Sequence, residues 1–148
     1  MVQLDWAQSC VVRRVSLLCD NETEASVVAR DQVMLFLALM RECAACSFRL
    51  ERRDKNMATL AGLGITIRDA KGRILALTVN DYVEGPTARP DRPSQESWVF
   101  GLRIHGTDVY IKLEVRLEPA RCLCVSFHNA ERPMAFPYRG ETTRGGER

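Results

Sequence analysis

The chain has 148 residues, 21 Lys and Arg against 19 Asp and Glu, two His, six Cys and a hydrophobic fraction of 46%. That length buries the core of one domain but not of two, and the 27% charged fraction is that of a globular rather than a disordered protein. A net charge of +2 excludes a histone-like polycation whose partner is legible from charge alone.

Residues 1–30 form a weakly patterned extension, in which Asp5, Arg13 and Arg14 interrupt anything like the apolar core of a secretory leader. The most apolar run, Val33 to Met40, is far shorter than the ~18 residues of a membrane span. A cytoplasmic protein with reduced thiols and no membrane partner is therefore expected. Val33, Phe36, Leu37, Met40 and Ala44 recur at helical spacing and predict an amphipathic helix, with Asp31 as its N-cap. Ser47 to Arg53 alternates and reads as a short strand, with Phe48 and Leu50 on one face.

Asp54 can cap a second helix that buries Met57, Leu60 and Ala61 and ends at Gly62 and Gly64. Thr66 with Asp69 is a capping-box start for a third, whose apolar residues are Ile67, Ala70, Ile74 and Leu77. Residues 85–97, with Pro86, Pro90 and Pro93, read as a Pro-rich loop. After it the period changes to two. Trp98–His105, Asp108–Glu118 and Arg121–His128 are expected as an antiparallel meander, joined at Gly106-Thr107 and Pro119-Ala120. Residues 140–148 read as a disordered tail. The whole predicts an α+β domain over residues 31–139: a small antiparallel sheet, the C-terminal meander plus one earlier strand, with two to three helices on one face.

Alternation divides the meander into two faces. Val109, Ile111, Leu113 and Val115 point one way, and Leu123, Val125 and Phe127 match them. Tyr110, Lys112, Glu114 and Arg116 point the other way, with Cys122, Cys124, Ser126 and His128. The second face is expected to be an open sheet surface carrying Tyr110, Lys112 and His128. Those three types form a chemical set: Lys stabilises a phosphorane, His moves a proton near neutral pH, and Tyr donates a hydrogen bond or stacks on a base. Outward-facing strand residues with no joint role are the alternative.

Charge is unevenly spread. Residues 41–73 hold eight basic and four acidic residues and residues 98–139 six and four, against acidic surpluses of two in each of 1–31 and 80–97. The basic segments are candidates for phosphate contacts. Cys43-x-x-Cys46 and Cys122-x-Cys124 lack the turn residues of a zinc knuckle, so free thiols and no metal site are expected. There is no P-loop, dinucleotide fingerprint, G-x-S-x-G or H-E-x-x-H motif, and no cofactor is implied.

Taken in order, Leu77-Thr78-Val79-Asn80-Asp81-Tyr82, Val109-Tyr110-Ile111-Lys112 and Val125-Ser126-Phe127-His128 give the chain a resemblance to a known family. It resembles the MqsR-like toxins of bacterial toxin–antitoxin systems, within the RelE-type mRNA interferase fold, over roughly Asp31 to Tyr138. The resemblance implies a metal-independent endoribonuclease that cleaves mRNA by 2′-hydroxyl attack and arrests translation and growth, with the ribosome as a candidate partner. It also implies a cognate antitoxin, DNA-binding and encoded adjacently. By position, Tyr110 and Lys112 match the catalytic strand and His128 stands where the family has Lys. Glu84 replaces a family Lys and Val99 a family Gln. Arg49, Arg52, Arg53 and Lys55, or Arg139, are the candidate RNA-binding substitutes. A non-catalytic RNA- or protein-binding module and a degenerate toxin are the alternative readings.

Overall fold

A computed structural model describes residues 28–139; the N-terminal extension to residue 27 and the tail from residue 140 lie outside the described residues. The elements are α1 (Arg30–Cys46), β1 (Phe48–Leu50), α2 (Asp54–Leu63), α3 (Ile67–Leu75), a 3-10 turn (Val79–Asp81), β2 (Tyr82–Arg89), β3 (Arg92–Ile104), β4 (Thr107–Leu117) and β5 (Ala120–Asn129). The five strands form one sheet in the order β1-β5-β4-β3-β2, antiparallel except that β1 runs parallel to β5. The architecture is the expected α+β one. No helix among the described residues is long and apolar enough to cross a membrane.

α1 lies across β5 and β4 and buries Val33, Phe36, Leu37, Met40, Cys43 and Ala44, the stripe its spacing defines. Phe36 stacks on Trp98 at 4.4 Å between ring centroids and sits 6.0 Å from Phe100, tying helix to sheet. On the same helix, Arg41 donates to the carbonyls of Leu75 (2.9 Å) and Leu77 (2.8 Å). Leu75 ends α3 and Leu77 lies just past its C-cap, so this guanidinium satisfies a carbonyl without a partner in the helix and offsets the negative end of the helix dipole.

Two helices start earlier than expected, α1 by two positions and α2 by one. α1 begins after Ala29, and Asp31 lies in its first turn; α2 begins after Arg53, with Asp54 in the first turn. Both carboxylates favour the positive helix end without acting as caps. Thr66 and Asp69 form the expected reciprocal pair, at 3.0 and 3.1 Å. α2 continues through Gly62 and stops at Leu63, with Gly64 as C-cap.

The Pro-rich stretch is not a loop. Residues 85–97 belong to β2 and β3, which form a hairpin turning at residues 90–91. Proline is accommodated because β2 is an edge strand among the described residues, with no described strand to pair on its outer side, and because Pro93 is the second residue of β3. Register shifts between Tyr82 and Glu84 and again before Thr87 turn the strand, so Glu84 pairs with Val99 while Tyr82 pairs with Phe100. Gly85 makes this possible. Its φ is +115°, and a Cβ there would lie 2.8 Å from the Ser97 carbonyl oxygen.

A register shift in the β4–β5 ladder corrects the expected face assignment of β5. Lys112 pairs with Ser126 but Leu113 pairs with Cys124, leaving Val125 as an extra residue. Upstream of that bulge the alternation is inverted. Cys122 and Cys124 therefore face the core beside Val115 and Leu113 and are fully buried. Cys122 packs as a small apolar group, Cys124 Sγ donates to the Ser126 carbonyl at 3.2 Å, and burial pushes Cys43 up to about 11 and Cys122 to about 12.

Candidate active site on the second sheet face

The bulge frees backbone groups of β5 just where β1 has ended, and α2 supplies their partners. Asn56, fully buried, donates through Nδ2 to the carbonyls of Glu51 (2.9 Å) and Val125 (3.1 Å). Its Oδ1 accepts from the Phe127 N–H at 2.9 Å, and Thr59 Oγ1 accepts from the Asn129 N–H at 3.2 Å. Two helical side chains thus act as a substitute strand along residues 125–129 and hold the segment that carries His128.

Downstream of the bulge the face assignment is the expected one. Tyr110 pairs with His128, and their rings stack with centroids 5.4 Å apart at an interplanar angle of 17°. Lys112 is the next same-face residue of β4 and lies in a row with Glu84, Val99 and Ser126. Tyr110, Lys112 and His128 are therefore brought together on one face, all half-buried.

That face is not an open surface. Val99, Glu114 and Ser126 on it are buried, with Ser97 donating to Glu114 Oε2 at 3.0 Å. The segment 130–139 crosses it beside Tyr110. Gly101 pairs with Tyr110, and a Cβ there would lie 2.7 Å from Met134 Cε and 2.9 Å from Phe136 Cζ. The missing side chain at Gly101 is what lets the strap lie down. Tyr138 donates to the Val28 carbonyl, and Arg139 bonds Asp81 at 3.2 Å while lying 3.7 Å over the Phe136 ring.

Electrostatics at the site are mixed in sign. Burial holds the Tyr110 phenol above its ordinary value, Glu84 adds to the rise, and Arg132 opposes it. The phenol is thus a protonated hydrogen-bond donor near neutral pH. His128 Nδ1 lies 3.0 Å from the Asn129 carbonyl oxygen. A proton on Nδ1 satisfies that carbonyl and leaves Nε2 as a hydrogen-bond acceptor. Glu131 sits below the ordinary carboxylate range, chiefly through its hydrogen bond from Lys55, with His128 and Arg132 adding to the effect.

The candidate RNA-binding residues separate into three places. Lys55 pairs with Glu131 at the edge of the Tyr110–His128 pair. Arg49 pairs with Leu123, which is opposite Glu114, so it shares the second face but lies two strands from Lys112. Arg52 and Arg53 line a groove with Arg49 along β1, away from the stacked pair. Arg139 is engaged by Asp81 and ties down the strap. Arg132, which sequence reasoning missed, lies within electrostatic reach of Tyr110. Its signal was faint: one more arginine, just past the last strand. Among the described residues no group of His, Cys, Asp and Glu gathers as a metal-ligand set. Comparison with protein-family models, with curated proteins and with solved structures returns no match for this chain.

Proposed function

We propose that the protein is an endoribonuclease toxin of a toxin–antitoxin pair that cleaves mRNA by internal 2′-hydroxyl attack. The observation that carries this reading is the stacked Tyr110–His128 pair with Lys112 at the adjoining same-face position. In the reaction the ribose 2′-oxygen bonds to the neighbouring phosphorus and the 5′-oxygen leaves. A proton departs from the 2′-hydroxyl and one arrives on the 5′-oxygen, giving a 2′,3′-cyclic phosphate and a 5′-hydroxyl. His128 Nε2 is the proton-transfer group, Lys112 bears on the phosphorane charge and Tyr110 donates to a non-bridging oxygen. The strap over Gly101 limits water on one side of the site.

Incubation of purified protein with an RNA pool, with and without EDTA, tests the reading. New 5′-hydroxyl ends that persist in EDTA are expected. The carboxylate of Glu84, close enough to raise Tyr110, favours a second reading as a binding module, since it repels a phosphate. RNA or protein binding with no new 5′-hydroxyl ends selects that one.

A further inference from the structure

We infer that the outer edge of β1 is a docking site for an extended acidic segment of a protein partner, which adds to the sheet as a further strand. This inference does not depend on the nuclease reading. β1 is the terminal strand of the sheet, and no strand of the described residues pairs with its outer side. Toward β5 the bonds run from Cys122 N–H to the Ser47 carbonyl and from Glu51 N–H to the Cys124 carbonyl, both at 2.9 Å. In a parallel ladder the alternate residues then point the other way, so Phe48 and Leu50 turn their N–H and C=O groups to the free edge.

Beside that edge runs a groove of about 410 Å³, with Phe48, Leu50 and Ile67 as its apolar lining and Arg49, Arg52 and Arg53 as its charged lining. None of the three arginines forms an ion pair with a described residue. Glu51 is the one carboxylate in the lining, so the groove keeps a surplus of two positive charges. Lys71, 5.6 Å from the Phe48 ring, adds a cation at the same end.

A ladder with which no described strand pairs, apolar side-chain seats and guanidinium groups without an ion-pair partner among the described residues are the three parts of strand addition with acidic selectivity. A peptide strand matches the alternating N–H and C=O groups of that edge along its length and RNA does not, which is why a peptide is the favoured occupant. Short charged edge strands also occur as guards against aggregation, and a guard has no reason for the groove beside it.

The test uses the full chain and three probes: a ten-residue peptide alternating Glu and Val, its Lys and Val counterpart, and a ten-nucleotide uridine oligomer. The acidic peptide is expected to bind saturably, to slow amide exchange at Phe48 and Leu50, and to bind at least tenfold more weakly to the double variant Arg49→Glu, Arg52→Glu. Both positions are on or beside the surface, and circular dichroism checks that the variant folds. The proposal is overturned if the acidic peptide does not bind, if it binds without protecting those two amides, or if the oligomer binds there in its place.

Discussion

Tyr110 and His128 are directly opposed in the β4–β5 ladder, and their rings stack at 5.4 Å rather than diverging into solvent. Each ring shields the other. Because burial is the leading cause of the raised Tyr110 value, removing the imidazole lets water reach the phenol. In His128→Ala the Tyr110 hydroxyl is expected to titrate closer to its ordinary value of 10.0 than in the parent, read by NMR of labelled tyrosine. An unchanged titration contradicts mutual shielding.

Asn56 is the side chain on which the bulge depends. Asn56→Ala leaves the Val125 carbonyl and the Phe127 N–H buried without their partner, and a cost of about 3 kcal/mol is expected. Asn56→Asp should cost more, because a carboxylate then faces the carbonyls of Glu51 and Val125. Urea unfolding measures both, and a loss below about 1 kcal/mol for the alanine variant contradicts the role of Asn56 in holding the bulge.

Much of the frame is legible in the sequence because its period is unambiguous. The α1 stripe from Val33 to Ala44 and the alternation from Val109 to Val115 each point to one side of one element. What misleads is single-residue displacement. Val125 inserts one residue and exchanges the faces of Cys122 and Cys124, which no local pattern announces. Tyr110, Lys112 and His128 are legible as a set because the bulge lies upstream of His128, so alternation from Phe127 onward is undisturbed. Pro86 suggests a loop only while the edge position of β2 is unknown, and Pro93 only while its place at the start of β3 is. The strap is hidden for a different reason: Gly101 marks an approach of chain from Met134 and Phe136, far along the sequence, and a glycine does not say what approaches it.

Gly101 tests that contact. In Gly101→Val the new side chain meets Met134 and Phe136, and the strap has to lift. The expected cost is about 1–3 kcal/mol, accompanied by faster proteolysis within residues 131–139. Because Met134 is flexible, Gly101→Ala should cost less. Identical proteolysis of parent and Gly101→Val contradicts the contact.

Alkaline stability follows from the buried thiols and Tyr82. Their values rise on folding, from 9.0 to about 11 for Cys43, from 9.0 to about 12 for Cys122 and from 10.0 to about 12 for Tyr82. A raised value means the folded state holds its proton more tightly, so the stabilisation is complete below pH 9 and declines as pH rises toward 12. Urea midpoints should be flat with respect to these groups up to pH 9 and fall above it. Cys122→Ala should fall less steeply, although its midpoint at pH 7.5 is lower because of the cavity.

The most direct test is single-turnover cleavage of one mapped RNA by Lys112→Ala and His128→Ala, each first verified to unfold cooperatively. With a proton-transfer His and a charge-stabilising Lys, each variant is expected to cleave at least a hundredfold more slowly than the parent and to lose growth arrest on induction. Cleavage by both variants at the parent rate, with growth arrest intact, contradicts the site.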